Sequence, residues 1–333
     1  MADNNNKITL TRLSHVIYQH PDIEKYKSFA KDFGLEVADT QPDKNLVFFR
    51  GYGLDQYVYI ATQAPAGEGK KFIGAGFTAR SREDFDRATR LPGAEVIDIS
   101  AWPGAGSLVK IRDPNGYEVR ILHGQEEQAL PKKGISVVDG GRPTLNGAID
   151  KHRKGEFTRM VQSPAAIHKL GHFGYETDNY EGTHAWYTSN FNLEPTDVLH
   201  TPGNESLDVA TFFHLDLGDE YVDHHCFLLA RREKPGTSVH HSSFEVEDMD
   251  TQMIGHQWLR DRGYDNVWGI GRHVHGSQLF GYWYDPERFI VEHYADGDVV
   301  NGKHEIYRAA AGNMAVWGPP VPAIWGGKQQ VSA

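Results

Sequence analysis

Alternation of apolar and polar side chains marks several strands along this chain. It is clearest in HFGY (172–175), SFEV (243–246) and GYWY (281–284). Successive residues of a strand face opposite sides of a sheet, so these stretches predict strands with one buried face. Residues 182–190 (GTHAWYTSN) predict a helix, although their intrinsic helix propensity is low.

The two halves of the chain repeat this pattern. LSHVIYQHPDIEKYKSFAKDFGLE, from Leu13, matches LGHFGYETDNYEGTHAWYTSNFNLE, from Leu170. LVKIRDPNGYEVRIL, from Leu108, matches LFGYWYDPERFIVEHY, from Leu279, around an Asp-Pro pair. Such internal similarity predicts duplicated β-α-β-β-β units. We expect an N-terminal domain over 8–123, a connector over 124–166, a C-terminal domain over 167–296 and a tail over 297–333, which packs on the body or on a neighbouring subunit.

Composition narrows the classes of function. The 333 residues exceed the usual size of one domain, and 39% hydrophobic with 24% charged residues is typical of a globular protein. A formal net charge of −11 argues against nucleic acid or an anionic membrane as the main partner. The chain has one cysteine, Cys226, which cannot form an internal disulfide. The first residues, MADNNNKITLTRL, lack the apolar region of a signal peptide, so we expect a cytoplasmic location.

Histidine is frequent, with 18 residues, and several histidines stand near a carboxylate. Three strand positions of the second half combine into one chemistry: His172, His241 and Glu292. Two neutral imidazoles and one carboxylate on one face suit Fe(II), and they leave the opposite positions open. Taken singly, each residue is more often a structural histidine or a solvated glutamate. The hypothesis of a metal site therefore depends on the combination.

The first half provides an internal comparison for that site. The positions that match His172, His241 and Glu292 hold His15, Gly74 and Arg120. Glycine and arginine cannot complete a metal site, so the first half is predicted to be scaffold. The repeat itself consequently does not require His and Glu at these positions.

These residues and repeats resemble type I extradiol ring-cleaving dioxygenases of the vicinal oxygen chelate superfamily. The resemblance spans most of the chain and is most specific from His172 to Glu292. It implies an α+β fold in which paired βαβββ modules form two domains, with the metal in the second. It also implies that His172, His241 and Glu292 hold Fe(II), with Mn(II) as an alternative metal, and that the protein is a homo-oligomer.

The resemblance further implies an activity and roles for other residues. The family cleaves a catecholic ring with O2 to a hydroxymuconic semialdehyde type of product. Tyr282 matches the tyrosine that hydrogen-bonds a substrate oxygen, and His273 matches a histidine of the second coordination sphere. His225 matches the acid/base histidine, with its neighbour His224 as the alternative. Catalytic His225, His273 and Tyr282 are therefore expected beside the metal.

Two departures and two rival functions accompany this interpretation. Where the family usually has an apolar residue before the tyrosine, this chain has Gly281. Where the family has a glycine two positions after the proline, this chain has Arg288. A positive φ at Arg288 would cost roughly 1 kcal/mol, so a turn of another shape is predicted. A glyoxalase-like isomerase or lyase uses the same modules and a metal without O2. A small-molecule-binding protein of the superfamily needs no His/His/Glu set.

The substrate's side group is left open by the sequence. Arg272, Arg288 and His275 are candidates to receive an acidic group. An apolar pocket is the alternative, and its candidates are Trp186, Phe213 and Trp268.

Overall fold

This computed structural model describes residues 7–41, 43, 45–130 and 145–325. Parts of the predicted connector (131–144) and of the predicted tail (326–333) lie outside the described residues. Within the described part, no helix is long and apolar enough to span a membrane.

The first half contains two βαβββ modules. The first comprises β1 (Leu10–His20), α1 (Ile23–Phe33), β2 (Glu36–Gln41), β3 (Leu46–Arg50) and β4 (Tyr59–Gln63). The second comprises β5 (Lys71–Ala79), α2 (Arg82–Ala88), β6 (Glu95–Ile97), β7 (Ser107–Arg112) and β8 (Glu118–His123). The described strands form one sheet of order β2-β3-β4-β1-β5-β8-β7-β6, in which antiparallel β1 and β5 join the modules.

The second half repeats this plan. Its first module comprises β9 (Ile167–Thr177), α3 (Tyr180–Asn190), β10 (Leu193–Thr201), β11 (Asn204–Leu215), the short β12 (Val222–Asp223) and β13 (Phe227–Arg231). Its second comprises β14 (Thr237–Val246), α4 (Met249–Asp261), β15 (Asn266–His273), β16 (Leu279–Tyr284) and β17 (Ile290–Ala295). The tail adds β18 (Val299–Val300), β19 (Tyr307–Ala310) and β20 (Ala315–Trp317).

The larger sheet has the order β19-β10-β11-β13-β9-β14-β17-β16-β15-β20 among the described strands. The tail therefore packs back on the body, because β19 and β20 extend the two edges of this sheet. The predicted α+β fold of paired modules is confirmed.

Helix α1 shows how the modules close over their sheets. Asp22 caps its first turn by accepting a hydrogen bond from the Lys25 backbone at 3.0 Å, and Gly34 ends it at a φ of 103°. Its buried residues, which include Tyr26, Phe29 and Phe33, recur at helical spacing. Helix α3 has poor intrinsic propensity, so its buried face supplies most of its stability.

The strand register confirms the predicted correspondence between the halves. His241 pairs with Gly174, two residues beyond His172; Gly74 pairs with Ile17, two residues beyond His15. On the next strand, Glu292 pairs with Ser243 as Arg120 pairs with Gly76. Arg120 is engaged by Glu118 at 2.8 Å. The first half therefore lacks the donors at two of the three equivalent positions.

Each Asp-Pro turn inserts into the other half of the molecule. Asp113 Oδ2 accepts hydrogen bonds from the hydroxyls of Tyr175 at 2.5 Å and Tyr187 at 3.2 Å. Asp285 occupies the matching turn and accepts two backbone hydrogen bonds at Oδ1, but its buried Oδ2 has no partner among the described residues. Burial raises the pKa of Asp285 to about 7.

Substituting Asp285 with asparagine is expected to reduce the loss of stability that occurs as the pH rises from about 4 to about 7. The folded protein binds a proton at Asp285 that the unfolded chain releases near pH 4, so this group costs stability as the pH rises from about 4 to 7. D285N removes that cost, on the order of a few kcal/mol. Denaturant unfolding of the wild-type protein and D285N at pH 5 and pH 8 measures the change in the free energy of unfolding. An equal effect of D285N at both pH values would contradict the assignment.

The predicted change of turn shape at Arg288 is wrong. Arg288 keeps the left-handed conformation, with a φ of 68°, as does Gly116 at the matching position, with a φ of 87°. The Arg288 guanidinium lies 3.5 Å from the centre of the Tyr284 ring and 2.6 Å from Asp265 Oδ2. These contacts offset the strain of a side chain in a conformation that favours glycine.

Candidate metal centre

Five of the six predicted site residues lie on five neighbouring strands, and the sixth, His225, lies between β12 and β13. His172 is on β9, His241 on β14, Glu292 on β17, Tyr282 on β16 and His273 on β15. Pairing of His172 with Ser243, of Ser243 with Glu292 and of Glu292 with Tyr282 places these side chains on one face, because directly paired residues share a face. Residues that are distant in sequence therefore converge through strand register.

Three donor atoms meet at the centre of this face. His172 Nε2 lies 2.8 Å from His241 Nε2 and 3.2 Å from Glu292 Oε2. His241 Nε2 lies 3.4 Å from the same carboxylate oxygen. These three side chains are buried, and Glu292 is 0% exposed.

The donor set fits a divalent cation. Donors that bind one ion at about 2.1 Å in adjacent positions lie about 3 Å apart, which matches the separations here. Neither oxygen of Glu292 has a hydrogen bond of good geometry among the described residues. A fully buried carboxylate in that situation requires a compensating charge. The three residues could therefore hold Fe(II) or Mn(II).

Electrostatics keeps the donors in the forms that bind a metal. Burial lowers the pKa of His172 to about 4, so its imidazole is neutral near pH 7. Burial opposes ionisation of Glu292, but the nearby imidazoles of His172, His241 and His273 outweigh it and hold its pKa well below the usual range. A neutral imidazole and an ionised carboxylate are both metal-binding forms.

Tyr282 and His273 form a pair beside the three donors. His273 Nδ1 lies 3.0 Å from the carbonyl oxygen of Met314, so this nitrogen carries the proton. The other nitrogen, Nε2, therefore accepts the hydrogen bond of the Tyr282 hydroxyl, at 2.8 Å. The lone pairs of the Tyr282 oxygen remain available to a bound molecule.

His225 and His224 are equally buried but face different neighbours. The ring of His225 lies 4.1 Å from that of His172, centre to centre, and lines the cavity described below. His224 is not among the lining residues; its Nε2 faces Asp197 Oδ1 at 3.5 Å. Burial lowers the pKa of His225 well below the usual range of histidine. The geometry thus places His225, of the two, next to the candidate ligands.

A cavity of about 420 Å³ opens over the donor face. Apart from the site residues, its walls are mostly apolar and include Leu199, Val209, Ala210, Phe212, Leu228, Ala230, Met314 and Ile324. No lysine or arginine is among the lining residues that the structure describes. Glu176, ion-paired with Arg232, is the acidic lining residue away from the donors.

The residues predicted to contact a substrate side group mostly lie elsewhere. Arg272 pairs with Asp296, and Arg288 with Asp265, both outside the cavity. Trp186, Phe213 and Trp268 are likewise absent from its described lining; Trp268 packs behind Tyr282, with ring centres 5.9 Å apart. His275, of this predicted group, does line the cavity.

Sequence reasoning missed several residues of this site. The Trp325 ring stacks on His240 at 5.0 Å and meets Tyr282 edge-on at 4.9 Å, so the tail forms part of the wall. His240 Nδ1 lies 2.6 Å from His241 Nδ1, which fixes the orientation of the candidate ligand. The His240-His241 pair in the sequence was a signal for this contact. Asp197 gave no such signal.

Fold and site together define a class: paired-module proteins of the vicinal oxygen chelate type with a candidate mononuclear metal centre. No family model matches the chain. Metapyrocatechase 2 of Cupriavidus necator is 27% identical over 315 residues, which cover 93% of this chain and 89% of the relative.

Solved structures share the fold. Homoprotocatechuate 2,3-dioxygenase from Brevibacterium fuscum superposes with a TM-score of 0.74 at 17% identity, covering 98% of this chain and 94% of that chain. The Mn(II)-bound glyoxalase from Novosphingobium aromaticivorans superposes with a TM-score of 0.70 at 21% identity, covering 93% of this chain and 91% of that chain. The predicted resemblance is confirmed: this protein is an enzyme similar to extradiol dioxygenases, and it shares the vicinal oxygen chelate fold.

Proposed function

We propose that this protein cleaves a catecholic ring with O2, next to its two hydroxyl groups, at one Fe(II) held by His172, His241 and Glu292. The product is a ring-opened hydroxymuconic semialdehyde type of compound. The observation that carries the proposal is the His/His/Glu set, which faces an apolar cavity on its open side. Mn(II) suits the same donors.

The bound metal supplies Lewis acidity and a template for two oxygen donors and O2. The side chains provide binding and proton handling. The Tyr282 oxygen accepts a hydrogen bond from a substrate hydroxyl, while His273 keeps the Tyr282 proton turned away from it. His225 takes a phenolic proton and returns it to an oxygen as the ring opens. The apolar walls exclude water from the reacting ring.

One wall residue argues against the isomerase alternative. His172 and His241 occupy matching positions of their modules, and the position that matches Glu292 is Leu228, because Leu228 pairs with Gly174 as Glu292 pairs with Ser243. Leu228 lines the cavity and cannot bind a metal. The paired modules therefore supply three donors, and a carboxylate at position 228 would have been the fourth. Ring cleavage needs positions for both substrate and O2, whereas an isomerase needs none for O2.

The lining further indicates which catechols fit. A carboxylate buried here would meet mostly apolar walls and Glu176, without a lysine or arginine among the described lining residues. His275, which lines the cavity, is already paired with Asp197 at 2.5 Å, so burial of the carboxylate would cost several kcal/mol. We expect kcat/KM for methyl- and ethylcatechols to equal or exceed that for catechol, and that for 3,4-dihydroxyphenylacetate to be about 100-fold lower. L199R at the cavity wall should reduce this difference, whereas V316R on the surface should not. Equal use of acidic and neutral substrates would contradict this specificity.

Oxygen uptake tests the proposed function. Protein loaded anaerobically with Fe(II) receives catechol, 4-methylcatechol, 3,4-dihydroxyphenylacetate and 2,3-dihydroxybiphenyl, while O2 and the yellow ring-opened product are measured. We expect one O2 consumed per product formed, and no uptake by H241A. An absence of uptake with every catechol, at verified metal occupancy, would overturn the proposal in favour of an isomerase or a binding protein.

A further inference from the structure

A chain of polar side chains connects His225 to a buried carboxylate. His225 Nδ1 lies 3.1 Å from His224 Nδ1, and His224 Nε2 lies 3.5 Å from Asp197 Oδ1. The other oxygen of Asp197 lies 2.5 Å from His275 Nδ1. Asp197 is 4% exposed and belongs to β10. The chain therefore begins at the cavity and ends on a strand of the same sheet.

The carboxylate determines which nitrogen of each imidazole carries a proton. Burial opposes ionisation of Asp197, but contacts with His224 and His275 outweigh it and lower its pKa. An ionised carboxylate only accepts, so His224 Nε2 carries a proton. In neutral His224 the other nitrogen, Nδ1, is then a lone pair and accepts from His225 Nδ1. This places the lone pair of His225 on Nε2.

Gln278 is compatible with this arrangement. Its amide nitrogen lies 3.5 Å from His225 Nδ1, and its Oε1 has no hydrogen-bond partner among the described residues. The two ends of an amide are exchangeable by a flip about the last side-chain bond. With Oε1 toward His225, Gln278 accepts the same proton that His224 accepts.

We propose that Asp197, acting through His224, holds His225 in the tautomer whose unprotonated Nε2 takes a phenolic proton from the substrate. This inference rests on the proposed function. In the step, a substrate O–H bond breaks and an N–H bond forms at His225 Nε2, giving an imidazolium. The negative charge of Asp197 compensates it through His224. His225 is the catalytic residue, and Asp197 and His224 are positioning residues.

Replacing Asp197 with asparagine should reverse the chain. With its nitrogen toward His224 and its oxygen kept on His275, the amide presents a donor and favours a lone pair on His224 Nε2 and a proton on His224 Nδ1. His225 then accepts at Nδ1 and carries its proton on Nε2, where it no longer acts as a base. The corresponding change in the Ser-His-Asp triad also stabilises the wrong tautomer and costs about 10⁴-fold in rate.

Anaerobic binding to the Fe(II)-loaded protein distinguishes this role from a structural one. Catechol must lose a proton on binding, whereas 4-nitrocatechol is already ionised at mildly alkaline pH. We expect D197N to weaken catechol binding by about 10-fold or more and to leave 4-nitrocatechol binding within about 2-fold, as measured by absorbance titration. H224L should show the same difference between the two ligands, and it replaces D197N in the test if D197N does not fold.

D216N is the matched control, because Asp216 follows β11 and bonds the Gly218 backbone outside this chain of residues. It should change neither affinity. The inference would be overturned if the wild-type protein binds catechol but D197N and H224L weaken the binding of both ligands equally, or weaken the binding of neither. Failure of the wild-type protein to bind either ligand would instead overturn the proposed function.

Discussion

Replacing Glu292 with methionine is expected to abolish oxygen uptake and, in the metal-free protein, to raise the free energy of unfolding. Glu292 is fully buried, and its oxygens lack hydrogen bonds of good geometry among the described residues. Without a cation this carboxylate faces imidazoles that favour its ionised form but, when neutral, carry no positive charge. An apolar side chain of similar volume avoids the cost of burying the charge and relieves about 1–3 kcal/mol. Denaturant unfolding of chelator-treated protein measures the gain.

Metal titration completes this prediction. Excess Fe(II) or Mn(II) should raise the thermal midpoint of the wild-type protein, because the folded state binds the ion, and should leave that of E292M nearly unchanged. E118M is the matched control: Glu118 is paired with Arg120 at 2.8 Å, so its removal should destabilise the protein without affecting metal binding. A metal-free E292M less stable than the wild-type protein would contradict the assignment.

The division of the fold into two similar halves was predictable because both halves show the same local sequence patterns. Strand alternation, the helix after each first strand and the Asp-Pro turns all recur at matching distances along the chain. The candidate ligands His172, His241 and Glu292 were predicted from their donor chemistry and from the family resemblance. Comparison with the matching positions of the first half showed that the repeat does not require those residues. The duplication thus supplied a reference within the sequence itself.

Other parts of the site depend on contacts that no local pattern records. Asp197 reaches His224 and His275 because β10 lies in the same sheet, and Trp325 reaches His240 because the tail adds strands to the sheet edges. The prediction at Arg288 was wrong since it considered backbone strain alone. The Tyr284 ring and Asp265, which hold that side chain, become its neighbours only in the folded turn.

Substituting Leu228 with glutamate is expected to retain the metal and reduce oxygen uptake by at least about 100-fold. Leu228 matches Glu292 in the other module, so a carboxylate there is a fourth protein donor. It would occupy a position that substrate or O2 requires. Metal analysis and oxygen uptake on the same sample measure both effects, with L228Q as the control of similar size and no charge.

Metal dependence of stability distinguishes ligation from simple disruption by L228E. A buried glutamate without a partner destabilises the metal-free variant, whereas a metal-bound one does not. The thermal midpoint of L228E should therefore rise more on addition of metal than that of the wild-type protein, and that of L228Q should not. If metal stabilised L228E no more than the wild-type protein, position 228 would not face the ion. The open side of the His/His/Glu set would then have to be sought on another wall of the cavity.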